Sequence, residues 1–256
     1  MKLLTPIFVL VVLILVQGCS AIESIRESEE RDHRIAKTHV DLGIGYLKQG
    51  KYDIALEKLQ KAVEAEPSYA PGHSAIAIVY EHLEKYDEAD EHYREAINLS
   101  PDDGGLYNNY GVFLCGQKKY EKAEENFLRA IATPRYPTPE LAYENAGVCE
   151  RKSPKYDIRK AEDYLKKALD KNSRLPNALL NMAFIRYEQA NYLSARGFLQ
   201  RYESVARHTA ESLWLGIQTE KKLKNNDAMQ EYAKQLQTDF PKSEQFKMLL
   251  NSQGET

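Results

Sequence analysis

A tyrosine recurs at nearly constant spacing through the middle of the chain. Its positions are Tyr52, Tyr86, Tyr120, Tyr156 and Tyr192, which are separated by 34, 34, 36 and 36 residues. A ladder of alanines keeps nearly the same period, with two residues inserted before Ala161, at Ala55, Ala89, Ala123, Ala161, Ala195 and Ala228. Self-similarity at a fixed period of this length predicts a repeat architecture, in which each supersecondary unit buries its apolar face only against its neighbours. The period therefore argues against a fold built around one central core.

Other positions complete each repeat. A small residue stands upstream of each turn, at Gly43, Ala77, Gly111, Gly147, Ala183 and Gly216. A large residue follows each alanine by four positions, at Leu59, Tyr93, Phe127, Leu165, Leu199 and Tyr232, and Pro67 and Pro101 close the first two repeats. This pattern matches the tetratricopeptide repeat. Its two helices, A and B, approach closely where the small residues lie, and the large residues fill the space around that contact.

The sequence predicts an all-α fold, a tetratricopeptide-repeat solenoid of about six helix-turn-helix repeats wound into a right-handed superhelix. Only 13 Gly and 10 Pro among 256 residues also favour helices over a loop-rich sandwich. The predicted repeats cover residues 36–69, 70–103, 104–139, 140–175, 176–208 and 209–245, and residues 246–256 are left as a C-terminal tail. The fourth repeat carries a charged insertion at 152–160, and the degenerate sixth repeat suits a terminal cap.

The first 18 residues are predicted to be a signal peptide. Lys2 precedes an apolar run whose core, residues 7–16, would be about 15 Å long as a helix. A hydrocarbon layer is about 30 Å thick, so this core is too short to span it.

The five residues 15–19 (Leu-Val-Gln-Gly-Cys) resemble a bacterial lipobox. The resemblance implies that Cys19 becomes the first mature residue and carries a covalent diacylglycerol and an N-acyl chain. In the bacterial lipoproteins that this stretch resembles, an aspartate directly after the acylated cysteine implies retention in the inner membrane. Ser20 occupies that position here, so the resemblance implies delivery to the periplasmic leaflet of the outer membrane.

Residues 19–35 are predicted to form the acylated cysteine and a solvated tether. The stretch is rich in charged side chains and poor in large apolar ones, so it offers little surface to bury against a core. The alternative is a helix that starts near Ser28 and continues into the first repeat.

Charge and motifs exclude several classes of function. A net charge of −3 provides no basic face for nucleic acid. The sequence contains no nucleophile elbow, phosphate loop, HExxH or CxxC motif, so no catalytic residue, small-molecule substrate or cofactor other than the lipid on Cys19 is predicted. The six histidines are not spaced as ligand pairs on one helical face, so no metal site is predicted either. The chain is expected not to be an enzyme.

Cys115 and Cys149 lie on helix A of the third and fourth repeats. Their positions in the repeat differ by two residues, about 200° around a helix, which would turn them toward each other across neighbouring A helices. In an oxidising periplasm such a pair would form a disulfide. The alternative is two small buried thiols.

Tetratricopeptide arrays are binding scaffolds, and the family uses a concave groove lined by helix A. On this chain the corresponding positions predict a protein-binding groove formed by Val40, Ile44, Leu47, Ile78, Glu81, Asn108 and Val112. Most of these side chains are apolar, which favours an amphipathic helix or an extended apolar segment as the ligand. The alternative is that some of them only pack between neighbouring A helices.

Three stretches resemble one family beyond the generic repeat. They are residues 106–115 (LYNNYGVFLC), 144–149 (ENAGVC) and 209–217 (TAESLWLGI). With the lipobox and six repeats in the same order, they resemble the type IV pilus biogenesis and stability lipoproteins of Gram-negative bacteria, the PilF/PilW family. The charged insertion in the fourth repeat departs from the family pattern.

The resemblance implies a pilotin, an outer-membrane lipoprotein that binds the subunit of the pilus secretin and promotes its localisation and multimerisation. Two other tetratricopeptide lipoproteins remain as alternatives. One belongs to the barrel-assembly machinery of the outer membrane, and the other is a scaffold that regulates cell-wall enzymes.

Overall fold

The computed structural model describes the backbone of residues 4–254 and the side chains of residue 23 and residues 25–252. In this part the chain forms thirteen helices and no strand. They are α1 (Leu4–Lys48), α2 (Tyr52–Ala65), α3 (Ala70–His82), α4 (Tyr86–Leu99), α5 (Gly104–Gly116), α6 (Tyr120–Ala132), α7 (Pro139–Lys152), α8 (Ile158–Lys171), α9 (Pro176–Glu188), α10 (Tyr192–Glu203), α11 (Ala210–Lys222), α12 (Asn226–Asp239) and α13 (Glu244–Gly254). The predicted all-α tetratricopeptide solenoid is confirmed.

The chain divides into two compact units, residues Met1–Asn109 and Tyr110–Thr256, called here the N-terminal and C-terminal units, and the boundary falls within α5. In the N-terminal unit, α1 packs against α2, and α3 against α4. Gly43 allows the first of these contacts, because a Cβ at this position would lie only 2.5 Å from Leu59 Cγ. The repeat alanines Ala55 and Ala62 are fully buried beside Leu59. The small-against-large pairing predicted from the repeat is therefore present.

The C-terminal unit repeats this arrangement in the pairs α7–α8, α9–α10 and α11–α12. A Cβ at Gly147 on α7 would lie 2.6 Å from Leu165 Cγ on α8, so a larger residue would force the pair apart. Leu165, Leu179 and Leu199 are buried in a cluster that joins successive pairs. Each pair thus buries its apolar face against the next one, as a repeat array requires.

The stretch interpreted as a tether belongs to α1, a single helix of 45 residues. Arg26, Glu27 and Glu30 are exposed, while Ala36 is fully buried where α1 enters the N-terminal unit. The segment is therefore solvated as expected, but helical. The side chains of the predicted signal peptide and of Cys19 lie outside the described residues. Among those that are described, no helix is both long enough and apolar enough to cross a membrane.

The charged insertion of the fourth repeat widens the turn between α7 and α8. Asp157 caps α8 with its Oδ1, which accepts hydrogen bonds from Arg159 N at 2.9 Å and Lys160 N at 3.4 Å. The backbone N–H of Asp157 in turn donates to Glu150 Oε1 at 3.0 Å on α7. The insertion therefore forms an ordered loop, and the packing of α7 on α8 is like that of the other pairs.

Residues 246–254 of the predicted C-terminal tail belong to the packed helix α13, which begins at Glu244. Leu249 is 7% exposed and joins a core cluster with Leu213, Ile217 and Leu236, and Phe246 packs against the same cluster. Helix α13 contacts both α11 and α12. It therefore covers apolar surface that the last repeat would otherwise expose, which is the role of a capping element.

Five turns between paired helices share a residue in the left-handed conformation. These residues are Gly50, Glu84, Lys118, Ala190 and Lys224, with φ between 57° and 71°. Only glycine adopts this conformation without a steric cost from its Cβ.

Substitution of Ala190 by glycine is expected to stabilise the protein by about 0.5–1 kcal/mol, because it relieves this strain at an exposed turn. Ala132→Gly is the matched control, since Ala132 is exposed but helical and glycine weakens helices. In urea unfolding, Ala190→Gly should have a higher free energy of unfolding than the parent protein, and Ala132→Gly a lower one. A loss of stability in Ala190→Gly would contradict this explanation.

Candidate apolar binding surface

Three apolar side chains form the candidate surface in the N-terminal unit. Ile44 and Leu47 on α1 and Ile78 on α3 are each partly exposed, and α1 and α3 pack against each other. Ile44 and Leu47 are three residues apart and therefore share one face of α1, where they also pack against the core cluster of this unit. We call Ile44, Leu47 and Ile78 the N-terminal surface. The core anchors Ile44 and Leu47, and all three side chains retain area that a ligand can cover.

Glu81 follows Ile78 by one helical turn and is held by α4. Its Oε1 accepts a hydrogen bond from the Tyr93 hydroxyl, which is buried. Burial raises the pKa of the Glu81 carboxyl, although the hydrogen bond from Tyr93 partly opposes this shift. Burial, followed by the charge of Glu81, raises the pKa of Tyr93. Glu81 is therefore engaged within the unit and serves to join α3 to α4.

Two residues of the predicted groove are buried. Val40 is 5% exposed and lies in the core cluster with Ala36 and Leu59, because its face of α1 is covered by other helices of the unit. Asn108 is 8% exposed on α5. Neither offers a ligand much surface, contrary to the expectation from their repeat positions. For Val40 the structure supports the packing alternative.

Val112 is 45% exposed and belongs to the C-terminal unit, as do the cysteines that follow it. Cys115 on α5 and Cys149 on α7 are joined in a disulfide with a Cα–Cα distance of 5.9 Å. Both side chains are almost completely buried, at 9% and 4% exposure. The bond joins the A helices of the third and fourth repeats, as the positions of the two cysteines in the repeat predicted.

A histidine pair in the N-terminal unit consists of His73 on α3 and His92 on α4. His73 Nδ1 is 3.1 Å from His92 Nδ1, and His73 Nε2 is 3.0 Å from the carbonyl oxygen of Pro67. A carbonyl only accepts, so His73 carries its proton on Nε2 and its Nδ1 accepts from His92. Burial, and then the nearby His73, lowers the pKa of His92, which favours the neutral form of His92. The described residues contain no group of three or more side chains placed to hold a metal ion.

A second partly apolar concavity lies in the C-terminal unit around Trp214. The sequence indicated Trp214 only as part of a degenerate repeat. The concavity was missed because one of its walls, Leu249, comes from α13, which the repeat period does not predict. The signal that could have found it is the tryptophan itself, the only one in the sequence.

Comparisons with known proteins agree with this architecture. Two tetratricopeptide repeat family models match residues 40–104 and 92–125. The type IV pilus assembly protein PilF of Pseudomonas aeruginosa is 30% identical over 108 residues. That match spans 42% of this chain and 42% of the length of the curated relative.

Two solved structures extend the similarity over most of the chain. The structure of Pseudomonas aeruginosa PilF has a TM-score of 0.79 and 31% identity, covering 86% of this chain and 99% of that one. The crystal structure of PilW, a widely conserved type IV pilus biogenesis factor, has a TM-score of 0.76 and 31% identity, covering 84% of this chain and 98% of that one. The chain therefore belongs to the PilF/PilW family of tetratricopeptide proteins.

Proposed function

We propose that the protein is a type IV pilus biogenesis factor that acts as a pilotin. In this role it binds the secretin subunit and promotes its localisation and multimerisation in the outer membrane. The observation that carries the proposal is the 31% identity to PilF over 99% of the solved PilF chain. A scaffold of helix pairs suits such a role, because stacked repeats present side chains along an extended binding face.

In this proposal the N-terminal surface receives an apolar segment of the secretin subunit. Ile44, Leu47 and Ile78 are partly exposed, so contact with a partner would remove apolar area from water at about 25 cal/mol per Å². Their backbones lie on two packed helices, α1 and α3, so little ordering is needed before binding. This combination favours an amphipathic helix or an extended segment with apolar side chains on one side.

The Ile44→Glu variant is expected to bind the secretin subunit at least about tenfold more weakly. The new carboxylate would be buried unpaired against the partner, at a cost on the order of 1–3 kcal/mol or more. Ile54→Glu is a matched control, because Ile54 is 40% exposed on α2 and is not part of the N-terminal surface. Secretin co-purified from native membranes should decrease for the first variant and not for the second.

Four measurements decide this experiment. Circular dichroism and melting temperature must match between Ile44→Glu and the parent protein, so that the loss reflects a missing contact. The amounts of secretin multimer and of an unrelated outer-membrane protein are then compared in each strain. Normal secretin multimers with a stable Ile44→Glu protein would exclude the N-terminal surface. Loss of both proteins would point to a general assembly role.

Anchoring to the periplasmic leaflet of the outer membrane is proposed to depend on acylated Cys19. Because one acyl chain holds a protein only marginally, stable anchoring requires at least two. Cys19→Ser is therefore expected to leave the protein uncleaved or soluble, with loss of more than about nine tenths from the outer-membrane fraction. Fractionation and mass spectrometry of the mature N-terminus test this. Unchanged fractionation of the serine variant would refute lipid anchoring through Cys19.

A further inference from the structure

The concavity around Trp214 is formed only by residues of the C-terminal unit and measures about 520 Å³. Its apolar wall combines Trp214 and Ile217 of α11 with Met229 of α12 and Leu249 of α13. Leu249 and Ile217 are almost completely buried, whereas Trp214 and Met229 are partly exposed. The core thus fixes Ile217 and Leu249, whereas Trp214 and Met229 keep apolar area that a ligand can cover. A volume of this size accommodates one or two bulky side chains.

Two lysines give this concavity a positive edge. Lys221 and Lys222 end α11, line the concavity and are exposed. Neither forms an ion pair with any described residue, and no acidic side chain lines the concavity. The protein as a whole carries a net charge of −3, so the positive edge is a local feature. A ligand with a carboxylate would therefore be attracted to this edge.

Polar groups between the apolar side chains favour a peptide over an acyl chain. Gln218 lies in the lining, and its amide makes no hydrogen bond with the described residues, so it can both donate to and accept from a peptide backbone. Ser252 also lies in the lining and donates to Leu249 O at 2.7 Å, which leaves its hydroxyl oxygen free to accept. An acyl chain would offer no hydrogen-bond partner to the Gln218 amide, which costs binding energy where the chain covers that amide.

We propose that this concavity binds an extended segment of a partner protein. In that segment a bulky apolar side chain contacts Trp214 and Met229, and a carboxylate one or two residues later pairs with Lys221 and Lys222. The backbone of the segment exchanges hydrogen bonds with Gln218. This site consists of other residues than the N-terminal surface and does not depend on the proposed pilotin role.

The single tryptophan allows a direct test with the full protein in lipid nanodiscs. The protein is labelled with 5-fluorotryptophan, so that one ¹⁹F resonance reports on the wall of the concavity. The probes are three synthetic peptides, Ser-Gly-X-Asp-Glu-Gly-Ser, with Leu, Met or Phe at X. At least one should shift the resonance saturably. The matched peptide with Asn-Gln in place of Asp-Glu should bind at least about fivefold more weakly, and a peptide with Ser at X should not bind.

The double variant Lys221→Glu/Lys222→Glu should bind the tightest of these peptides at least about tenfold more weakly than the parent protein does at 50 mM salt. Its control is Lys234→Glu/Lys242→Glu, which changes the net charge equally at exposed lysines that do not line the concavity. Because cations also stabilise the end of α11, both variants must keep the parent's fold by circular dichroism at the assay temperature. If Lys221→Glu/Lys222→Glu does not, Lys221→Gln/Lys222→Gln replaces it, with an expected loss of at least about threefold.

Three results would overturn the proposal. The first is the absence of a saturable shift with all three acidic peptides. The second is equal binding to the parent protein and to the variant with both lining lysines changed. The third is a saturable response to dodecanoate with none to the peptides, which would assign the concavity to a lipid-like anion.

Discussion

Replacement of Arg196 by methionine is expected to lower the free energy of unfolding by about 3–5 kcal/mol. Glu220 on α11 is only 2% exposed. Arg196 on α10 donates from Nε to Glu220 Oε1 at 2.7 Å and from Nη2 to Oε2. Methionine keeps much of the aliphatic packing but removes both donors, so a buried carboxylate is left without a cation. Urea or thermal unfolding of the two proteins measures the difference.

Two further variants separate this effect from a general loss of charge. Arg196→Met/Glu220→Leu should recover most of the lost stability, because an apolar pair no longer leaves a buried charge unpaired. Lys247→Met removes one partner of the exposed pair between Lys247 and Glu244, and it should change stability by less than about 0.5 kcal/mol. A loss below about 1 kcal/mol in Arg196→Met would show that water reaches Glu220 and would contradict its buried position.

Removal of the disulfide by Cys115→Ser/Cys149→Ser is expected to destabilise the oxidised protein by about 3–4 kcal/mol. The bond joins residues 34 positions apart, so it removes considerable conformational freedom from the unfolded chain. The serine hydroxyls would also enter a site where both cysteines are nearly buried, which adds a smaller cost. Melting with and without a reductant measures the effect.

The parent protein in reductant should melt close to the double serine variant, and the variant should not respond to reductant. Thiol labelling of the denatured, unreduced protein, mapped by mass spectrometry, should find neither cysteine. Reaction at both Cys115 and Cys149 would show that the bond is absent from the protein.

The repeat architecture could be predicted from the sequence because its contacts are encoded by local spacing. Gly147 faces Leu165 as Gly43 faces Leu59, and both pairings follow from positions within a single repeat. The placement of Cys115 near Cys149 required only the additional geometry of neighbouring A helices. Such contacts between adjacent elements of a regular array are the ones that a period can specify.

The remaining features depend on contacts that the period does not describe. Val40 occupies a groove position in the repeat but is covered by the core, so register alone did not reveal its burial. Helix α13 lies beyond the last repeat and has no equivalent from which to predict it. The concavity around Trp214 needs Leu249 from that helix, and the widened turn of the fourth repeat depends on the cap that Asp157 provides. These are irregular contacts, and only the structure supplies them.

The most direct test of the proposed function is site-specific photocrosslinking in living cells. A photoreactive phenylalanine analogue replaces Ile44 in one strain and Ile54 in another, and cells are irradiated during secretin assembly. A crosslink to the secretin subunit is expected from position 44 and none from position 54, with normal amounts of both proteins. Equal crosslinking from both positions, or no secretin adduct from position 44 in cells that still assemble secretin multimers, would contradict binding through the N-terminal surface.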